Sequence, residues 1–187
     1  MNCISQHNVY YFNPSTPYAV ESFSECLKGL IYKNKKKGEN LVILCIGTDK
    51  VMGDCLGPLL GYRLKKTGYS GIIYGDLDSP VHAKNIFEVI KDINKKHPRA
   101  FIIAIDASLG TQSHVGYITL GVGSLKPGAG VGKQLPKVGD IFITGIVNSM
   151  SATHESVLGD TRLNVVMNLA DTIYEGIRNA DLQSVIK

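Results

Sequence analysis

The order of elements along this chain predicts an α/β protein: a three-layer α/β/α sandwich with a mostly parallel, doubly wound sheet of about five or six strands. Three observations carry that expectation. Apolar runs of strand length alternate with segments whose apolar residues recur at helical spacing. The runs at 41–46 and 100–105 are apolar throughout, as in strands covered on both faces. Glycine is plentiful at 20 of 187 residues and Trp is absent, which suits many tight turns better than a long helical bundle.

Each element has its own signal. Residues 1–14 are polar around Tyr10, Tyr11 and Phe12 and read as an N-terminal arm. Ser15-Thr16-Pro17 offers a hydroxyl cap and a first-turn proline, and Val20, Phe23, Leu27, Leu30 and Ile31 continue at helical spacing. The run 41–46 is the first strand, and Leu56, Leu59, Leu60 and Leu64 mark the helix after it. Residues 71–75 form a short second strand, and Ile86, Val89, Ile90 and Ile93 a helix. The run 100–105 is a third strand that ends on Asp106. Alternation over 115–120 predicts another strand, then a Gly-rich loop (121–132), then a strand over 140–145. A long amphipathic helix over 157–177 closes the chain.

Composition bounds the rest. With 44% hydrophobic and 19% charged residues, the chain is neither disordered nor collagen-like, and its length suits a single domain over 1–187. No stretch of about 18 apolar residues occurs, so no membrane span is expected. No secretory leader is legible at the N-terminus. The four cysteines show no CxxC spacing, which fits reduced thiols in a cytoplasmic protein. The net charge of +4 gathers in lysines at 33–37, 65–66 and 95–96. All three groups stand at predicted helix ends, where cations complement the dipole. No aromatics interleave with them as base-stacking platforms would, so nucleic acid is not an expected partner.

Chemistry is expected beyond the carboxyl ends of the strands, at the point where strand order reverses. In a 2-1-3 order, the first and third strands are neighbours, and each leads to an aspartate: Asp54 in the loop after the first, Asp106 at the end of the third. Asp54 also reads as a helix N-cap. Asp106 follows six apolar residues and is costly to bury without a partner. Two adjacent carboxylates do not ionise together easily, so such a pair can share a proton and activate water, or hold a cation. His114 is the candidate third metal ligand beside Asp54 and Asp106. Asp78 and His82, in the loop after the second strand, are candidate substrate contacts, although Asp76 and Asp78 also read as turn residues. His154 reads as exposed. Cys55, at a helix start, is a weak candidate nucleophile. The segment around Gly128, Gly130 and Gly132 is not a P-loop, because Lys133 is followed by Gln134 and the spacing differs; its backbone amides are candidate oxyanion donors. No GxGxxG, GxSxG or HExxH motif occurs.

The segment Ile46-Gly47-Thr48-Asp49-Lys50-Val51-Met52-Gly53-Asp54-Cys55-Leu56-Gly57-Pro58 resembles the first active-site motif of the bacterial spore germination protease. Ile103-Ala104-Ile105-Asp106-Ala107 resembles its second, and Pro127-Gly128-Ala129-Gly130-Val131-Gly132-Lys133 a third, Gly-rich segment. The three lie in the same order and span roughly residues 41–147. The chain most resembles the small YyaC-type sporulation proteins, a trimmed relative of that protease with a similar Asn-rich end helix (160–170). Hydrogenase maturation endopeptidases share the fold more distantly. The resemblance implies an endopeptidase with Asp54 and Asp106 as essential acids, acting on a peptide or small protein such as a spore protein, in the forespore or mother cell. The more distant likeness implies Ni or Zn held by the same aspartates, with His114 as the candidate histidine. A non-enzymatic sporulation factor that binds a partner in the same cleft is the third reading. The chain lacks the protease's long N-terminal pro-segment and replaces its Gly-rich second loop with Asp78-Ser79-Pro80-Val81-His82.

Overall fold

Two apolar runs that must be covered on both faces become the central strands of one mixed sheet. The computed structural model describes residues 4–6, 9–128, 135–150 and 158–182. In chain order the elements are β1 (Ile4–Gln6), β2 (Val9–Phe12), α1 (Ala19–Asn34), β3 (Asn40–Cys45), a 3-10 turn (Met52–Asp54), α2 (Leu56–Lys66), β4 (Ile72–Tyr74), α3 (Ile86–Lys96), β5 (Ala100–Gly110), a second 3-10 turn (Gln112–His114), β6 (Ile118–Val122), β7 (Ile141–Ser149) and α4 (Leu163–Asn179).

The sheet runs β1-β2-β6-β7-β5-β3-β4. The β4-β3-β5 neighbourhood is the expected 2-1-3 order of the first three apolar runs, with parallel pairing throughout and β7 parallel to β5. The sheet is nevertheless mixed rather than mostly parallel, because β6, β2 and β1 extend it by antiparallel pairings. It also has seven strands where five or six were expected. The extra two come from the N-terminal segment, which is no loose arm: Tyr10 pairs with Leu120 and Phe12 with Ile118. That hairpin puts Phe12 into the core, where its ring meets Phe23 edge-on at 5.4 Å. Among the described residues, no helix is long and apolar enough to cross a membrane.

Alternation along the central strands divides their side chains between two cores. Leu41, Ile43 and Cys45 join Phe101, Ile103 and Ile105 in a cluster with α1, α2 and α4. Val42, Leu44 and Ile46 join Ile102 and Ala104 in a second, with Ile86 and Ile93 of α3 and with Leu125 and Val138. A continuous apolar run is thus what a strand between two cores requires, each fully buried Leu or Ile contributing about 1.5–3 kcal/mol.

Two expectations about helix ends are decided locally. Ser15 and Thr16 do not cap α1: its N-cap is Tyr18, in the left-handed region at φ 63°, without a side-chain cap bond. The hydroxyls are passed over because Asn13 organises the turn first, accepting from the Ser15 amide (3.0 Å) through Oδ1 and from Thr16 Oγ1 (2.8 Å) through its carbonyl. The lysines behave as expected, with Lys33, Lys65, Lys66, Lys95 and Lys96 all in last turns.

The link from β3 into α2 is a close backbone approach. A Cβ on Gly57, in the first turn of α2, would stand 2.1 Å from the Ile46 carbonyl oxygen, so only glycine lets the helix start there. Gly57→Ala is therefore expected to cost at least about 2 kcal/mol, read from urea unfolding at pH 7. Gly29→Ala, on the exposed side of α1 with open space around it, is expected to stabilise by about 0.5–1 kcal/mol. A Gly57→Ala chain as stable as wild type would refute the close-approach account.

Candidate active site

Asp54 is held by its backbone. Its amide donates to the Val51 carbonyl (2.9 Å), its carbonyl accepts from the Thr48 amide (3.0 Å), and the Gly53 amide donates to the Leu158 carbonyl (2.8 Å). Gly47, at φ 137°, makes this possible, since a Cβ there would lie 2.0 Å from the Asp54 carbonyl oxygen. The N-cap of α2 is Cys55, which makes no side-chain cap bond; Asp54 is the last residue of the 3-10 turn before it. The loop therefore presents Asp54 at the carboxyl end of β3.

Asp106 comes from the neighbouring strand. It is not the end of β5, as the apolar run predicted: β5 continues to Gly110, because residues 107–110 pair with β7 beyond the point where β3 stops. Asp106 therefore lies within the sheet, opposite Thr144 of β7, and is only 7% exposed. Its Oδ1 accepts from the Ala107 amide at 2.8 Å. Burial, and then the Asp54 charge, push the Asp106 carboxyl well above the usual carboxylate range, against the smaller opposing effect of that amide.

The two aspartates line one cleft of about 290 Å³. Its other walls are Ala107, Ser108 and Leu109 of β5, Thr144 of β7, the loop residues Leu125, Lys126 and Gly128, and Met150 and Leu158. The cleft is mostly apolar with a few converging polar groups, the usual make-up of a ligand site. Gly128 lies where the Gly-rich loop was expected to contribute; Gly130, Gly132 and His154 fall outside the described residues.

A family model described as "Protein of unknown function (DUF1256)" matches residues 11–176. The chain belongs to the DUF1256 family. It is also 49% identical over 148 residues to an uncharacterized protein, YyaC, of Bacillus subtilis (strain 168), across 79% of this chain and 72% of that one. Every residue lining the cleft lies within the matched span of this DUF1256 member.

Other candidates stand elsewhere. His114 does not line the cleft. Its ring lies between Tyr11 and Tyr117, with centroids 5.2 Å from each, and its Nδ1 is 3.0 Å from Thr111 Oγ1. Among the described residues, no three His, Cys, Asp or Glu side chains gather as a metal site. The expected Asp54–Asp106–His114 set for Ni or Zn thus has no counterpart there. His82 faces a separate groove of about 650 Å³ with Lys65, Tyr74, Glu88 and Asp92. Asp78 is exposed and lines neither.

The reason lies in Asp76, which turns that loop away: its Oδ1 accepts from the Ser79 amide at 2.6 Å and its other oxygen pairs with the Lys65 ammonium. Burial pushes the Asp76 carboxyl up, but Lys65 and the Ser79 amide outweigh it and hold the carboxyl below its usual range. Cys55 is buried, and that burial, helped by the Asp54 and Asp49 charges and opposed by a backbone hydrogen bond, pushes its thiol up rather than down as its helix start suggested.

Ser108, Lys126 and Thr144 were not singled out from the sequence. A signal existed for two of them. Ser108 shares the face of Asp106 by the two-residue period, and Thr144 is the polar residue inside the apolar stretch 141–146.

Because the folded-state pKa of Asp106 is raised, its protonated form favours folding and that contribution is lost as pH climbs. Below about pH 3.9, the ordinary aspartate value, both states are protonated; above it, the unfolded chain releases a proton that the folded chain keeps. Asp106→Asn keeps an oxygen for the Ala107 amide and removes this penalty. It is expected to gain stability over wild type as pH rises from about 4 to 7, measured by urea unfolding across that range. A gap that shrinks as pH rises would contradict the burial account.

Proposed function

We propose that this chain is an endopeptidase-like hydrolase of the spore germination protease type, acting on a peptide or small protein during sporulation or germination. The observation that carries the reading is a buried Asp106, its carboxyl pushed well above the usual carboxylate range, sharing one cleft with Asp54. On this reading the two-sided sheet is the three-layer α/β/α sandwich of that protease group, and the cell compartment is the forespore or mother cell.

Asp54 is the base. It takes a proton from a water whose oxygen attacks the peptide carbonyl carbon. Asp106 gives its proton to the amide nitrogen as the carbon–nitrogen bond breaks, so the pair ends the turnover with one proton, now on Asp54. Passing that proton back to Asp106 resets the site. Leu109, Leu125 and Leu158 give the cleft apolar walls, where charge interactions are stronger than in water, while Lys126 and the Gly128 backbone, which also line it, are the groups to meet negative charge on the carbonyl oxygen.

Incubation with acid-soluble spore proteins, followed by mass spectrometry, is expected to give fragments with wild type. Asp54→Asn and Asp106→Asn are each expected to slow cleavage by at least about a hundredfold while remaining folded. Undiminished cleavage by either variant would sink the dyad. A folded wild type that binds these proteins without cutting them would leave the partner-binding reading in its place.

A further inference from the structure

Next to the carboxylate pair, Ser108 and Thr144 line the cleft, and with Thr119 behind them they form a row of hydroxyls whose arrangement the hydrolytic step does not use. Thr144 of β7 stands in register with Asp106 on one side and Thr119 of β6 on the other. Thr119 is 7% exposed, and its Oγ1 lies 2.7 Å from Thr144 Oγ1. Ser108, on the same face of β5 as Asp106, donates to Thr144 Oγ1 at 3.0 Å and also lies 3.4 Å from the Gly145 carbonyl oxygen.

Both contacts use the Ser108 proton. Among the described residues nothing donates to Ser108 Oγ, and Ser108 lines the cleft. The hydroxyl is thus fixed from behind by a half-buried neighbour, and its acceptor side is left for whatever enters. A hydroxyl oxygen with its proton committed is an acceptor, so its complement is an N–H.

Spacing says which N–H. Two residues of strand advance about 6.6 Å, so Ser108 stands one two-residue step from Asp106. An extended polypeptide lying along the outer part of β5 has the same repeat. With one peptide group over the aspartates, it brings a backbone N–H about two residues away to Ser108.

We propose that Ser108 Oγ accepts a backbone N–H of an extended polypeptide substrate, about two residues from the bond held over Asp54 and Asp106, with Thr144 as the positioning residue that fixes the Ser108 hydroxyl. This rests on the hydrolase reading above. It adds to that reading a requirement that the substrate be extended through the cleft, and it places the first backbone contact outside the reacting group.

The test uses the full chain and an equimolar random octapeptide library read by mass spectrometry. The best-cleaved peptide is then resynthesised with a single N-methyl group at each position in turn. One N-methyl within two residues of the cut is expected to lower kcat/KM about tenfold in wild type, the worth of one hydrogen bond, and less than about twofold in Ser108→Ala. Ser108→Ala itself is expected to act mainly through KM, and Thr144→Val added to it to cost nothing further. Thermal melting checks that each variant is folded; Ser108→Cys, a similar size and a poorer acceptor, replaces Ser108→Ala if the latter does not fold. An N-methyl profile identical in wild type and variant, with cleavage intact, would overturn the proposal alone. A library untouched by wild type would overturn the hydrolase reading and this proposal with it.

Discussion

A carboxyl group enclosed among apolar strands is tolerable only if it stays protonated or finds a partner, and burial beside the Asp54 charge pushes the Asp106 carboxyl well above the usual range. The desolvation that raises Asp106 comes from the sheet itself: β3 and β7 flank β5, and the strand runs on past Asp106 to Gly110. The charge that raises it further comes from a loop that glycine allows to fold back onto the strand end. The cleft is built on that juxtaposition.

The two halves of the sheet divide the labour. The parallel part, β4-β3-β5-β7, creates the strand-order reversal at which Asp54 and Asp106 meet. The antiparallel extension contributes no carboxylate; it brings buried Thr119 against Thr144, the half-buried residue that Ser108 donates to. It also carries Tyr11, which stacks on His114 and gives that histidine a structural place outside the cleft.

What could be read from the sequence follows the range of the interactions. The parallel core and the 2-1-3 order were legible because an unbroken apolar run has one physical solution, a strand between two cores. The Asp54–Asp106 meeting was legible because it follows from that order. The N-terminal strands were not: β2 finds β6 more than a hundred residues away, and nothing local in Tyr10-Tyr11-Phe12 announces that partner. The extension of β5 past Asp106 was hidden for a similar reason, since β7 rather than hydropathy sustains it. His114 was placed near the aspartates by sequence distance and His82 by its loop after the second strand, but an aromatic stack and the Asp76–Lys65 pair, both made with other segments, set their positions. At the helix starts, Asn13 displaced two plausible hydroxyl caps, a contest between neighbours that composition does not decide.

The most direct measurement of the central claim is a carboxyl NMR titration of Asp106, followed by its own carbon resonance in wild type and in Asp54→Asn. The account predicts a wild-type midpoint above the ordinary aspartate range, and a lower midpoint once the Asp54 charge is gone. An ordinary midpoint in wild type, or one that does not move when Asp54 is neutralised, would mean that the two carboxyl groups do not share a site.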